Sequence, residues 1–257
     1  MAKIKLNYLS SVLKMQVDVV VVLPNDQLEY VNLTYLPSKE KYKTLYLLHG
    51  MYGDCNDWTN NTRIQLWANE YNVAVVMPTG LNNFYIDAYD GSGDYGKFIG
   101  EELIEYTRKT FPLSDKREDT FIAGLSMGGY GALRNGLKYH DVFSHIIALS
   151  PVTQRANKPY NKDTDLVDME RLFGPYEYAK NSENNLENLL LSINKEDLPA
   201  INFAIGTEDF LYEDNQAFKK FLIDHDIKFN YYEEHGEHYW DFWDRNIKRF
   251  LDYLPLK

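Results

Sequence analysis

The stretch from Phe121 to Ala132, FIAGLSMGGYGA, constrains the fold of this chain more than any other. Its apolar beginning is typical of a buried strand, and the residues after Gly129 have the spacing of a helix. Little chain separates the two elements, so the turn between them must be very tight. Glycines two positions before and two after Ser126 permit the unusual backbone angles that such a turn requires. The pattern predicts a buried strand that passes through a strained serine directly into a helix.

The predicted position of Ser126 has a chemical meaning. The turn pushes the serine hydroxyl out at the edge of the sheet, where the free amides of the helix N-terminus face any anion beside it. This arrangement exposes a nucleophile, although a glycine-rich turn can also serve close packing alone. A phosphate-binding loop is a poorer match, because no Gly-Lys-Ser or Gly-Lys-Thr follows and the glycine spacing is not that of a dinucleotide-binding fingerprint.

The length and composition of the chain favour a single α/β domain, residues 1–257. With 257 residues, of which 44% are hydrophobic, the chain can bury a large core. The net charge of −11 argues against nucleic acid or an anionic membrane as a partner, since both attract a clustered basic face. No apolar run reaches membrane-spanning length. We therefore expect no nucleic-acid partner and no membrane partner.

Cys55 is the sole cysteine, so the fold cannot depend on an intramolecular disulfide. The N-terminal residues also lack the apolar core of a signal peptide, and both features favour a cytoplasmic enzyme. The thiol of Cys55 rivals Ser126 as a nucleophile, but it lies in a loop without a strand-to-helix turn, and we interpret it as structural. The histidines lack the spacing of a zinc motif, so we expect no metal. Serine-based hydrolysis needs no cofactor, and we expect none.

Strand-like and helix-like segments alternate along the chain, which predicts a mostly parallel sheet flanked by helices. The strand-like runs are 17–23, 29–35, 44–48, 73–77, 121–124, 143–149, 201–205 and 228–233, and the first two should pair antiparallel. Helical spacing occurs at 64–71, 97–109 and 215–225, after Ser126, and in the closing segment to about 253. Residues 152–199 are polar and broken by prolines and a glycine, so we interpret them as a cap inserted over the strand ends.

A serine nucleophile needs a base and a group that orients the base. Asp209 follows one predicted strand and His238 follows the last, and the carboxyl ends of parallel strands lie along one edge of a sheet. We therefore expect Asp209 to be the acid and His238 the base. Other residues of the same segments stay open as alternatives. They are Glu208, Glu213 and Asp214 for the acid, and His235 for the base.

A second loop, after the run 44–48, is expected to contribute to catalysis. The buried run 44–48 leads directly into His49-Gly50-Met51-Tyr52-Gly53-Asp54, whose glycines allow unusual backbone angles. Hydrolases of this α/β architecture take one oxyanion donor from a main-chain amide of such a loop, and Met51 is best placed to supply it. His49 should support the loop through a hydrogen bond.

These segments resemble the esterase D group of α/β-hydrolases, and within it the tributyrin esterases of Gram-positive bacteria. The resemblance spans nearly the whole chain. Its four segments are LLHGMYG from Leu47, GLSMGGYGA from Gly124, GTEDF from Gly206 and GEHYWDFW from Gly236. It implies an α/β-hydrolase fold, Ser126 as nucleophile, Asp209 as acid and His238 as base, with the amides of Met51 and Met127 as the oxyanion hole.

The resemblance also implies a substrate class. We expect a serine carboxylesterase that acts on short acyl esters, with substrate contacts from His49, Gly50, Tyr95, Tyr130 and Trp240. Related members include S-formylglutathione hydrolases, which usually have histidine at the position of Tyr130, so a thioesterase is the first alternative. An acyltransferase with the same triad is the second, and a binding module that has lost catalysis is the third. A homo-oligomer is compatible with the resemblance.

Overall fold

The computed structural model describes residues 1–24, 27–29, 34–36, 41–161, 163 and 165–256. Ten strands are assigned within these ranges. They are β1 (Ala2–Leu9), β2 (Gln16–Leu23), β3 (Gln27–Glu29), β4 (Thr34–Leu36), β5 (Lys43–Leu48), β6 (Val73–Pro78), β7 (Thr120–Leu125), β8 (His145–Leu149), β9 (Ala200–Gly206) and β10 (Phe229–Glu234).

Eight of these strands form one sheet in the order β1-β2-β6-β5-β7-β8-β9-β10. From β6 to β10 all neighbouring strands are parallel, whereas β2 pairs antiparallel with both β1 and β6. The mostly parallel sheet predicted from the alternation of elements is confirmed. Because the strands from β5 to β10 share one direction, the loops that follow them meet along a single edge.

Helices connect the parallel strands. They are α1 (Asp57–Asn61), α2 (Ile64–Glu70), α3 (Tyr95–Lys97), α4 (Leu103–Thr110), α5 (Met127–Lys138), α6 (Met169–Phe173), α7 (Tyr176–Ala179), α8 (Leu186–Ser192), α9 (Tyr212–Asp224) and α10 (Trp240–Leu251). A π-helical segment, Phe98–Glu102, joins α3 to α4. Among the described residues, no helix combines the length and apolar character that crossing a bilayer requires.

Each face of the sheet carries its own apolar layer. Side chains alternate along a strand, so Leu45 and Leu47 of β5 belong to one buried cluster, and Tyr46 and Leu48 belong to the other. The first cluster includes Phe242 and the rest of the apolar stripe of α10, while the second includes the buried face of α5. Fully burying one large apolar side chain stabilises a fold by about 1.5–3 kcal/mol. The two layers hold the strand ends, and hence the loops, in fixed positions.

The start of the sheet differs from the prediction. The antiparallel partners of β2 are β6 and β1, which was not predicted as a strand, and not the run 29–35. β1 lies at the sheet edge and alternates between exposed residues and residues that are half-buried or, at Tyr8, buried; this period-two pattern is typical of a strand, and the prediction overlooked it. Part of the run 29–35 lies outside the described residues, and the ends of it belong to β3 and β4, which form a separate two-stranded sheet. The short helices α1 and α7 were not predicted either.

The segment predicted as a cap contains α6, α7 and α8, and it is attached to the helix that begins after Ser126. Arg134 of α5 is almost fully buried, and its guanidinium lies 2.6 Å from a carboxylate oxygen of Glu183. The hydroxyl of Tyr130 donates to the carbonyl of Asn184 at 2.7 Å. These contacts fix one side of the segment to the core. Its function as a cap stays a prediction.

Candidate active site

Ser126 lies at the turn between β7 and α5 with φ 54° and ψ −118°, a left-handed backbone conformation that is costly for any residue but glycine. The neighbouring glycines explain how the turn is tolerated. A Cβ on Gly124 would lie 2.2 Å from the carbonyl oxygen of Gly128, and a Cβ on Gly128 would lie 2.4 Å from that of His49. Neither position has room for a side chain. The strained turn predicted from the glycine pattern is present.

A hydrogen-bonded chain joins Ser126 to the two partners predicted for it. Nε2 of His238 lies 3.0 Å from the Ser126 hydroxyl oxygen, and Nδ1 lies 2.8 Å from Oδ2 of Asp209. The Asp209 side chain is fully buried, and that of His238 is 18% exposed. Since a carboxylate can only accept, Nδ1 carries the proton and Nε2 is free to accept the one on the serine.

The loop after β9 fixes the orientation of Asp209. Its second carboxylate oxygen, Oδ1, accepts from the amide of Leu211 at 2.9 Å, and its own amide donates to Gly206 at 3.1 Å. Each carboxylate oxygen therefore has a donor, which keeps a buried charge satisfied. The side chain cannot rotate away from His238 without breaking one of these contacts.

His49 holds the loop that follows β5. Its Nε2 accepts from the Gly80 amide at 2.8 Å, and its Nδ1 lies 2.7 Å from the Gly50 carbonyl oxygen. Because an amide can only donate, the proton of the ring is on Nδ1, and Gly50 accepts it. Burial lowers the pKa of His49, which keeps the ring neutral and both contacts intact.

This contact sets the direction of the next amide. In a trans peptide the carbonyl and the following N–H point to opposite sides, so fixing the Gly50 carbonyl turns the Met51 amide away from His49. The loop passes close to the serine, since a Cβ on Gly50 would lie 3.6 Å from that of Ser126. Met127 is the first residue of α5, and amides at that position have no partner within the helix. Both amides predicted as oxyanion donors lie in segments adjacent to Ser126.

The rival acid and base contact each other. Nδ1 of His235 lies 2.9 Å from Oε2 of Glu208, and the His235 side chain is 91% exposed. Of the other two carboxylates considered, Asp214 pairs with Lys158, and Glu213 is exposed in the first turn of α9. The structure therefore brings Asp209 and His238, and not their rivals, to the serine.

The remaining residues predicted to contact substrate have varied environments. Gly50 is buried beside Ser126, and Trp240 is half-buried against Trp58 with ring centroids 5.5 Å apart. Tyr130 and Tyr95 are buried, and the Tyr95 ring packs against that of Phe98. Their contacts with substrate stay predictions.

Two aromatic residues that the sequence did not single out lie against His238. The ring of Phe210 is centred 4.6 Å from the imidazole, and that of Trp243 is centred 5.0 Å from it at 89°. Trp243 is buried, and its Nε1 donates to the hydroxyl of Ser150 at 3.1 Å. Their only signal in the sequence was the aromatic character of the segments around Asp209 and His238.

Cys55, the alternative nucleophile, is buried, and burial raises the pKa of its thiol. That shift disfavours the reactive thiolate. Within the part of the chain that the structure describes, no group of three or more His, Cys, Asp or Glu side chains is arranged to hold a metal ion.

A strained serine hydrogen-bonded to a histidine and a buried aspartate, at the carboxyl edge of a mostly parallel sheet, defines a serine hydrolase of the α/β-hydrolase fold. Comparison with known proteins agrees. The family model described as "Putative esterase" matches residues 10–250. The chain is 39% identical to an acetyl esterase from Caldicellulosiruptor saccharolyticus over 99% of its own length and 98% of that protein. The chain belongs to this esterase family, and it is a carboxylic ester hydrolase.

Solved structures of similar proteins also match this chain over its whole length. Fluorophosphonate-binding serine hydrolase F (FphF) of Staphylococcus aureus, in a substrate-bound form, is 32% identical, with a TM-score of 0.86 over 100% of this chain and 98% of its own. An S-formylglutathione hydrolase (FrmB) of the same organism is 33% identical, with a TM-score of 0.85 over 100% and 99%. The predicted fold and the predicted esterase class are confirmed.

Proposed function

We propose that this esterase hydrolyses short acyl esters through an acyl-enzyme on Ser126. The main support for the proposal is the continuous chain of hydrogen bonds from Asp209 through His238 to Ser126, with lengths of 2.8 and 3.0 Å. His238 takes the serine proton as the oxygen attacks the ester carbonyl, and then delivers it to the departing alcohol. Water repeats the sequence and releases the acid. Proton transfer of this kind contributes about 10² to 10⁴ in rate.

The amides of Met51 and Met127 supply the oxyanion hole in this proposal. Two features support it: the contact of His49 with the Gly50 carbonyl, and the position of Met127 at the start of α5. One such donor contributes about 10² to 10³ in rate. The acetyl esterase relative and the predicted resemblance to tributyrin esterases favour a short acyl group.

A thioesterase is the second candidate, because one solved relative is described as an S-formylglutathione hydrolase. The same triad could cleave a thioester without rearrangement. The position at which those enzymes usually have histidine is here Tyr130, which is buried and donates to the Asn184 carbonyl. An acyltransferase would differ only in the acceptor of the acyl group. A non-catalytic binding module is least favoured, because such a protein has no need of a complete proton relay.

The setting of the reaction is part of the proposal. We place the enzyme in the cytoplasm, where the buried free thiol of Cys55 suits a reducing compartment. Its partner is a small ester, and the net charge of −11 disfavours nucleic acid. Self-association into a homo-oligomer is compatible with these features.

Hydrolysis of p-nitrophenyl esters of increasing acyl length tests the proposal. Wild-type protein should turn over acetate and butyrate and lose activity steeply with longer chains. Ser126→Ala should fold normally and lose turnover by about 10⁴-fold or more, since the nucleophile is absent. Intact-mass measurement with a fluorophosphonate probe should find one adduct, on Ser126.

Ser150→Ala is a matched control, because Ser150 is a second buried serine with positive φ at a strand end. It should keep the adduct on Ser126. Retained turnover or labelling in Ser126→Ala would contradict the assignment. Preferred cleavage of S-formylglutathione over the esters would support the thioesterase, and absence of both turnover and labelling in wild type would support a binding module.

A further inference from the structure

Phe210 is the most exposed of the large apolar side chains among the described residues, at 77%. Its position follows from the turn that holds Asp209. The Asp209 amide donates to Gly206, and the amides of Leu211 and Tyr212 donate back to Asp209, through its carboxylate and its carbonyl. With Asp209 turned inward and the chain fixed on both sides of it, the next side chain points outward. Exposing a phenylalanine side chain to water does not stabilise the fold, so an exposed ring beside the active site suggests a role in binding.

The ring of Phe210 lies against His238, the residue that protonates the leaving group in the proposed reaction. Its centroid is 4.6 Å from that of His238, at an angle of 49°. Trp243 contacts the same imidazole, but it is buried and its Nε1 is bound to Ser150. When the acyl-enzyme forms, the alcohol oxygen takes its proton from Nε2 of His238, so it lies within hydrogen-bond distance of that atom. The alcohol therefore departs beside an imidazole whose ring is in contact with Phe210.

From these contacts we propose that Phe210 selects the alcohol half of the substrate, and that the enzyme favours esters of neutral, apolar alcohols, aromatic ones above all. This inference rests on the proposed acyl-enzyme reaction. An aromatic alcohol packs on the exposed ring as the C–O bond breaks, and its oxygen receives the proton from His238. Two further exposed aromatic residues belong to the loops that form the site: Tyr52 follows Met51 and is 70% exposed, and Tyr239 follows His238 and is 64% exposed.

Charge favours the same class of alcohol. Glu208 directly precedes Asp209 and Glu237 directly precedes His238, so each loop that holds a member of the catalytic pair also carries a carboxylate. An anionic alcohol or thiol would be repelled there, in a protein whose net charge is −11. A neutral apolar group meets an apolar ring and no such repulsion.

The test compares two acetate esters whose alcohols have similar acidity, benzyl acetate and 2-methoxyethyl acetate. Both form the same acetyl-enzyme, so the ratio of their kcat/KM values reports on the alcohol alone. Phe210→Ala should lower this ratio about 3- to 10-fold, the range expected for the loss of one aromatic contact. Phe210→Tyr should keep the wild-type ratio. Tyr253→Ala, which removes an aromatic side chain that is 55% exposed just after α10, should also keep it.

The ratio separates selection from mere support of His238. If Phe210 only steadied the imidazole, Phe210→Ala would slow both esters equally and the ratio would not move; that result overturns the proposal. A wild-type preference for the methoxyethyl ester would overturn it as well. Failure of the underlying reaction would look different, because wild-type protein would then cleave neither ester.

Discussion

Two histidine–carboxylate pairs lie side by side in this protein, and only one of them reaches the serine. Asp209 and His238 are 2.8 Å apart, and their neighbours Glu208 and His235 are 2.9 Å apart. In the first pair Asp209 is buried and His238 is half-buried, with side-chain exposures of 0% and 18%; in the second pair the exposures are 42% and 91%. A histidine held by a carboxylate is therefore not in itself a catalytic unit. Burial and a nucleophile at the other ring nitrogen make it one.

The exposed pair has a different task, because Glu208 joins the two loops that carry the buried pair. Its Oε2 accepts from the amide of Gly236 at 2.6 Å, and its own amide donates to the Gly236 carbonyl at 3.1 Å. Its Oε1 accepts from the hydroxyl of Thr207 at 2.7 Å. These hydrogen bonds lower the pKa of Glu208 to about 2. The loops approach so closely that a Cβ on Gly206 would lie 2.0 Å from the Gly236 oxygen.

Replacing each histidine by alanine should give the largest difference between the two pairs. His238→Ala should lower kcat/KM by about 10⁴-fold or more, because the serine loses its base. His235→Ala should stay within about threefold of wild type, since an exposed ion pair contributes little. Steady-state hydrolysis of p-nitrophenyl acetate measures both. A larger loss in His235→Ala than in His238→Ala would mean that the base has been misassigned.

Replacing the two carboxylates by amides should distinguish the same two pairs. Asp209→Asn should lower kcat by about 10³- to 10⁴-fold, because an amide in place of the carboxylate favours the wrong tautomer of His238. Glu208→Gln should cost less than about tenfold and leave KM unchanged, since glutamine keeps one acceptor oxygen in the loop. The measurement is kcat and KM for one ester in all three proteins. If Glu208→Gln were the more damaging change, Glu208 would be the orienting acid.

Most residues of the active site could be predicted from the sequence, because the patterns that identify them lie within short segments. The glycines flanking Ser126 predict the strained turn directly. Ser126, Asp209 and His238 each follow a predicted strand, which indicates that they lie along one edge of the sheet. What the sequence could not supply was the partner of Glu208. That contact depends on how the loops after β9 and β10 lie against each other, which follows from the pairing of two strands and from no pattern within either segment.

The fold shows the same division between local and distant signals. The buried strands are continuous apolar runs and were predicted, whereas β1 has the alternating pattern of a half-buried edge strand, which was overlooked. Its place in the sheet is decided by pairing with β2 over the whole of both strands. The short helices α1 and α7, of five and four residues, are too short to show a helical period, and tertiary packing holds them.

The smallest effect expected from the comparison is on stability in acid. The pKa of Glu208 is about 2 in the folded protein, against an ordinary value of 4.5, so between these two pH values the unfolded chain binds more protons than the folded one. The contribution of Glu208 is therefore complete above pH 4.5 and is lost as the pH falls towards 2.

Glu208→Gln cannot titrate, so its deficit in Tm relative to wild type should be largest near neutral pH and should shrink on acidification. Glu237→Gln is the control, because Glu237 lies in the same loop as Gly236 and makes none of these contacts. Thermal melts of the three proteins across this range decide the matter, and a deficit of Glu208→Gln that grows towards low pH would show that the charge of Glu208 does not hold the loops together.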